Sequence, residues 1–273
     1  MIAFYRAAFQ GANLHFWTAD ADEYFGRNGK HLPAGYVGEG IACYIFPASG
    51  AVWNDAGIGI TEMTPAPVEA DDGSPSVVVA LNGASRGTIG VIAPGQALSV
   101  FGRHLGGARL LLNGTPVEAI SAKDYEIRVV VPRDLVSGME VSLEVEHQGR
   151  RSKPVKLGVV QANPAIFGSN EYGRGNAQAQ NEDGVINGAQ HPASRGSVVT
   201  LYTTGLGAMD LPVEVHIGGR VAEVISTLTS ATRAGVVEVR VRVPETVEAA
   251  AFQPVVLRVG DLFSQPGVGL AIQ

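Results

Sequence analysis

Residues 83–87 read Gly83-Ala84-Ser85-Arg86-Gly87, the G-x-S-x-G spacing of a hydrolase nucleophile elbow, and they follow a strand-like run, VVVALN. An elbow needs a helix directly after the serine, so that backbone N–H groups face the developing oxyanion. The segment that follows here, TIGVIAPGQ, cannot form one, and a Gly-rich turn entering a β-domain is the expected structure. The six histidines, His15, His31, His104, His147, His191 and His216, show neither H-E-x-x-H nor any other paired spacing. With Cys43 as the single cysteine, no metal site and no cofactor are expected. Around Gly184, the side-chain oxygens of Asn181, Asp183 and Asn187 are spaced as in a calcium loop, but the longer acidic series ending in Glu is missing. A D-G pair between strands is also a common hairpin turn, which is the expected structure, with calcium as the alternative. The one basic run, His147 to Lys153, falls at an expected hairpin tip and reads as a solvated turn.

Aromatic residues concentrate near the N-terminus: Tyr5, Phe16, Trp17, Tyr24, Tyr36, Tyr44 and, just beyond, Trp53. Most serve as the core of a small domain on this reading. Trp17 and Tyr36, beside the polar groups His15 and Glu39, are the candidates for stacking on sugar rings.

The elements that position these residues follow from composition and pattern. The chain has 273 residues, a net charge of −6, 35 glycines and 15 prolines. Short Val-rich runs punctuated by Gly and Pro predict many strands joined by tight turns. The negative charge argues against nucleic acid and anionic membrane as partners, since both need a concentrated positive surface. No apolar run is long enough to cross a bilayer as a helix, and MIAFYRAAFQGANLHF lacks the features of a signal peptide. Residues 61–76, TEMTPAPVEADDGSPS, have almost nothing to bury and read as a linker.

After the linker the chain repeats itself. APGQALSVFGRHLGG (93–107) is matched by ASRGSVVTLYTTGLG (193–207), with Gly95 opposite Gly196 and Leu105 opposite Leu206. LLLNGTPVEAI (110–120) faces VHIGGRVAEVI (215–225), and EIRVVVP ending at Pro132 faces EVRVRVP ending at Pro244. A fourth block begins at Val141 in one copy and Val255 in the other. The offset widens from 101 to 105 to 112, each time in a turn or loop. Alternation such as Val237, Val239, Val241 and Val243 against Glu238, Arg240 and Arg242 buries one face of each strand. Two sheets packed face to face satisfy that pattern, predicting a mainly β protein of two tandem immunoglobulin-like sandwiches.

The phrase APGQALSVFGRHLG, the strand with NGTPVEAI and the strand ending VP resemble the IPT/TIG immunoglobulin-like fold. Residues 81–273, with NPAIFGSN and GRGNAQAQNEDGVINGAQHPASRGSVVTLYTTGLG, more closely resemble the Solibacter uncharacterised C-terminal domain family. That resemblance implies a place at the C-terminus of a large exported bacterial protein and assigns no activity. Residues 4–46 resemble a bacterial extracellular repeat domain of unknown function, through Phe4-Tyr5, His15-Phe16-Trp17-Thr18, Glu23 and Glu39-Gly40-Ile41-Ala42-Cys43-Tyr44. Such units normally come in series, which implies further units upstream. Asp20 and Glu23 form a capping-box pattern that predicts one short helix ending near Gly26 or Gly29, giving a small α+β unit.

The expected organisation is a repeat-type unit over 1–60, a linker over 61–76, one sandwich over 77–160 and a second, with an N-terminal hairpin extension, over 161–273. The expected role is a non-catalytic segment of an exported or cell-surface bacterial protein, serving adhesion, glycan binding or spacing. Its partners would be glycans, other surface proteins or further copies of itself. A subunit that self-assembles by strand exchange and an accessory region of a secreted hydrolase are the alternatives.

Overall fold

The structure, a computed structural model, describes the backbone of residues 2–9, 15–18 and 36–45 and residues 72–273 apart from 88 and 171. It divides into two units, Met1–Asp71 and Asp72–Gln273. In the first, β1 (Ile2–Phe9) pairs antiparallel with β2 (His15–Thr18) on one side and β3 (Tyr36–Ile45) on the other. The helix expected from Asp20 lies outside the described residues.

The described residues of the second unit form strands and no helix. Its first part packs two sheets. One contains β4 (Ser76–Asn82), β6 (Ala97–Arg103), β9 (Ala119–Lys123) and β10 (Glu126–Val130), in the order β4-β6-β10-β9. The other contains β5 (Val91–Ile92), β7 (Arg109–Leu112), β8 (Thr115–Val117), β11 (Glu140–His147) and β13 (Val155–Val159), in the order β5-β13-β11-β7-β8, with β12 (Arg150–Arg151) hairpinned onto β11. Between the sheets, Leu98, Val100, Ile127 and Val129 meet Leu110, Leu143, Val145 and Leu157 in a closed core. Ser142 and Glu144, which alternate with the buried residues of β11, are partly exposed.

The remaining strands are β14 (Ala165–Ile166), β15 (Gly175–Asn176), β16 (Ala179–Asn181), β17 (Val198–Thr204), β18 (Val213–Ile217), β19 (Arg220–Thr229), β20 (Val237–Arg242), β21 (Ala250–Val259), β22 (Leu262–Phe263) and β23 (Val268–Ile272). They run β14-β17-β20-β19-β18-β21-β23-β15 around a second core that includes Val199, Leu201, Ile217, Val239, Val241, Leu257 and Leu270. The path is continuous because β19 and β21 are long enough to serve both layers: β19 pairs with β18 at its start and with β20 at its end. In the first sandwich the corresponding segment breaks at Glu118 into β8 and β9. The fold is mainly β, built from immunoglobulin-like sandwiches.

The repeat extends to individual hydrogen bonds. Gly95 and Gly196, at φ of 73° and 76°, each donate to the carbonyl of a Val that precedes Pro, Val131 and Val243. Ser152 and Ser264 each exchange two bonds with a core strand. Their Oγ atoms accept from the N–H of Val145 and Leu257 at 3.0 Å, and their own N–H groups donate back to the same residues. These bonds correct the alignment of the fourth block. Starting it at Val141 and Val255 sets Leu143 opposite Leu257, whereas the ladders set Val145 there, because Val145 pairs with Leu110 and Leu257 with Leu110's counterpart, Val215. The slip is two residues, the strand period, so burial is the same in either frame and pattern alone cannot detect it.

Candidate functional site

The four aromatic-unit candidates all flank β1. His15 and Trp17 are in register with Ala8 and Arg6, while Tyr36 is in register with Phe9 across the other edge. Glu39 falls at a register shift, unpaired between Gly38 and Gly40. Placement of their side chains lies outside the described residues.

At the calcium candidate, the structure brings Asn181 and Asn187 together through a direct 3.0 Å bond from Asn187 Nδ2 to Asn181 Oδ1. Asn187 also clamps the last strand, donating to the Ala271 carbonyl and accepting from the Ala271 N–H at 2.8 Å. Asp183 turns the chain by accepting from the Val185 N–H, so these oxygens are engaged in closing a hairpin. The Gly83–Gly87 segment is also a turn. Asn82 Oδ1 accepts from the N–H groups of Ala84 and Ser85, and Ser85 Oγ accepts from the Gly87 N–H. The backbone of that turn is the surface on which Gly173 (φ 68°) lies, so close that a Cβ there would overlap the Ala84 and Ser85 carbonyls.

That contact belongs to a buried junction between the two sandwiches. Asn82, Gln96 and Thr204 are at most 1% exposed. Asn82 Nδ2 donates to the Asn163 carbonyl, and Asn163 Nδ2 donates to Gln96 Oε1, both at 3.2 Å. Thr204 Oγ1 accepts from the Ala97 N–H at 2.8 Å and donates to the Gly235 carbonyl at 2.6 Å. Gly235, at φ 73°, lies against Ala97 and Val130, so close that a Cβ there would press on both. Polar groups buried in this way hold only if their partners stay in place, so the junction favours one relative orientation.

Beside the junction lies a groove of about 270 Å³. Ala97, Leu98 and Val129 of the first sandwich floor it, Ile120 and Arg128 wall one side, and Phe167 and the Thr232–Ala234 loop wall the other. Ile120 reaches it through a β-bulge: Ala119 and Ser121 pair with Val129 and Arg128, leaving Ile120 unpaired and 49% exposed. The second sandwich repeats the bulge at Ile225.

Electrostatics set the two walls apart. Arg86 stacks on Phe101 at 5.2 Å and reaches Glu126, to which Arg128 Nε also donates at 2.9 Å. Burial alone would raise the pKa of Glu126, but the hydrogen bond from Arg128 and the charges of Arg128 and Arg86 outweigh it and hold the carboxyl below its ordinary value. Across the groove, Arg233 stacks on Tyr202 at 4.6 Å and on Phe167 at 5.6 Å, and donates to the neutral Gln178 at 2.9 Å. No carboxylate of the described residues pairs with it. Pattern reading did not single out Arg128, Phe167 or Arg233. A signal was present in the repeat, since the widening of the offset from 105 to 112 falls between β19 and β20, in the loop that carries Arg233.

No protein-family model and no curated protein matches the chain. Among solved structures it is similar to a surface glycan-binding protein from Prevotella bryantii (12% identity, TM-score 0.27, covering 71% of this chain and 41% of that one). It is also similar to SGBP-B of the Bacteroides ovatus mixed-linkage glucan utilization locus, solved with a mixed-linkage heptasaccharide (16%, TM-score 0.27, 73% and 47%). A tandem of titin Ig domains matches at 10% identity and a TM-score of 0.23, over 73% of this chain and 98% of that one. The chain spans less than half the length of the first two.

Proposed function

We propose that this chain is a non-catalytic, rigid segment of an exported or cell-surface bacterial protein, a spacer in which two sandwiches act as one body. The observation that carries this reading is the buried polar junction from Asn82 and Gln96 to Asn163, Thr204 and Gly235. A flexible tandem would leave such groups facing water, whereas here each inter-sandwich bond depends on the fixed position of the others. The non-catalytic reading is supported by Ser85, the one serine in an elbow-like motif, whose hydroxyl oxygen accepts within its own turn. The exported location rests on the resemblance to the Solibacter C-terminal domain family.

Pulsed electron spin resonance between labels at the exposed positions Val136 and Val221, placed as cysteines in a Cys43→Ser background, tests the rigidity directly. One narrow distance distribution is expected. A broad or two-peaked distribution would overturn the spacer reading.

A further inference from the structure

We infer that the groove beside the junction is a binding site for a carboxylate-bearing sugar ring, a uronate unit of an acidic glycan, with Arg233 as its charge anchor. Arg233 is the starting point. Its guanidinium is stacked on Tyr202 and Phe167 and oriented by Gln178, so much of the entropy normally lost when an arginine binds a ligand is already lost in the free protein. Among the described residues no carboxylate pairs with its charge, and it sits in the wall of a groove together with Arg128. Arg86 and Arg128 share the carboxylate of Glu126, while Arg233 is held only by Gln178 and its two rings. This positive excess stands out in a chain whose net charge is −6, and it favours an anion.

The walls favour a ring as the rest of the ligand. Phe167 is half-buried and Ile120 half-exposed, and together they offer apolar surface to the C–H face of a sugar. At about 270 Å³ the groove falls just below the range of about 300–1,000 Å³ typical of drug-sized ligands, so it takes a ring-sized group and not a long segment. An acidic peptide fits less well. Strands β6 and β10, which supply the floor, are hydrogen-bonded on both edges and leave no ladder for an added strand.

The test is calorimetric titration of the full chain with trigalacturonate, free galacturonate, a neutral galactose trisaccharide and triglutamate. Two variants accompany the wild type. Arg233→Gln removes the anchor. Thr232→Trp fills the groove from an exposed rim position, so its fold is preserved, as an unchanged melting curve would verify. Saturable binding of a uronate probe is expected, weakened roughly 10- to 100-fold by Arg233→Gln through the loss of one charge-assisted hydrogen bond, and at least as much by Thr232→Trp through steric exclusion. Trigalacturonate binding tighter than that of galacturonate would identify a glycan chain as the source, and galacturonate binding at least as tight as trigalacturonate the free sugar. Absence of saturable binding by either uronate overturns the proposal, as does undiminished binding in a folded Thr232→Trp protein. Equal binding of the neutral trisaccharide would overturn the carboxylate assignment, and equal binding of triglutamate would overturn the sugar in favour of a peptide.

Discussion

The two sandwiches are alike in their interiors and differ where they meet. Both keep the glycine that donates to the carbonyl before a Pro, the serine that brackets a core strand and the bulged isoleucine. Both stack an arginine on the ring at equivalent positions, Phe101 and Tyr202. In the first, that arginine is Arg86, reaching back from the turn after β4 and neutralised by Glu126. In the second it is Arg233, brought in by a longer β19–β20 loop and hydrogen-bonded to an amide. The same loop supplies Gly235 to the junction. A duplicated domain thus keeps its core under packing constraint and acquires new surface chemistry by lengthening one hairpin.

The sharpest way to break the comparison is at His104 and Gly205, which hold the same place after equivalent strands with φ of 54° and 76°. At Gly205 an added Cβ would overlap the Asn163 carbonyl oxygen at the junction, as well as occupying a left-handed backbone. Gly205→Ala is expected to cost about 3 kcal/mol, combining a positive-φ penalty with overpacking. His104→Gly in the first sandwich should stay within about 1 kcal/mol of wild type, since relief of its left-handed backbone offsets the interaction that His104 contributes. Urea denaturation of both variants checks this, and equal losses would mean that the junction does not govern Gly205.

Glu126 offers a second contrast, with its counterpart Glu238. Glu126→Gln leaves Arg86 and Arg128 without their shared carboxylate and should destabilise by about 2 kcal/mol at neutral pH. Glu238→Gln, which breaks no ion pair of the described residues, should change stability by less than about 0.5 kcal/mol. The folded pKa of Glu126 is depressed, so the unfolded chain takes up the proton first as pH falls. Its contribution is complete above the unfolded pKa and is lost as pH drops through the folded one. The gap between wild type and Glu126→Gln should therefore close in acid, and a gap that persisted below the folded pKa would show that packing, not charge, makes Glu126 matter.

These contrasts also mark what was legible in the sequence. Alternation in EVRVRVP and the repeated Gly-containing turns specify strands and buried faces, because a half-buried strand has to show period two. The same period hides a slip of two residues, which is why the fourth block could be placed one pleat away from its true partner. The candidate site was illegible for a different reason. Arg233, Phe167 and Arg128 come from segments as far apart as β10 and the β19–β20 loop, and only the packing of one sandwich on the other brings them together. The Gly83–Gly87 motif was visible, yet its role depends on Gly173, which no spacing rule connects to it. His15, Trp17, Tyr36 and Glu39 share one three-stranded sheet by register, which alone does not make a site.

A third and weaker test than Gly205 or Glu126 uses the features the copies share most closely, Ser152 and Ser264. Each hydroxyl accepts from a buried backbone N–H, and the serines themselves are 6% and 8% exposed. Ser152→Ala and Ser264→Ala should each cost about 1.5 kcal/mol by leaving that N–H without its partner. The two substitutions act in different cores, with no shared neighbour, so the double variant should lose the sum within about 0.5 kcal/mol. Chemical denaturation of the four proteins measures this, provided the unit from Asp72 to Gln273 unfolds in one step. Two separated transitions, each moved by only one serine, would instead show that the junction is too weak to make the sandwiches a single cooperative body, and the rigid spacer would have to be abandoned along with it.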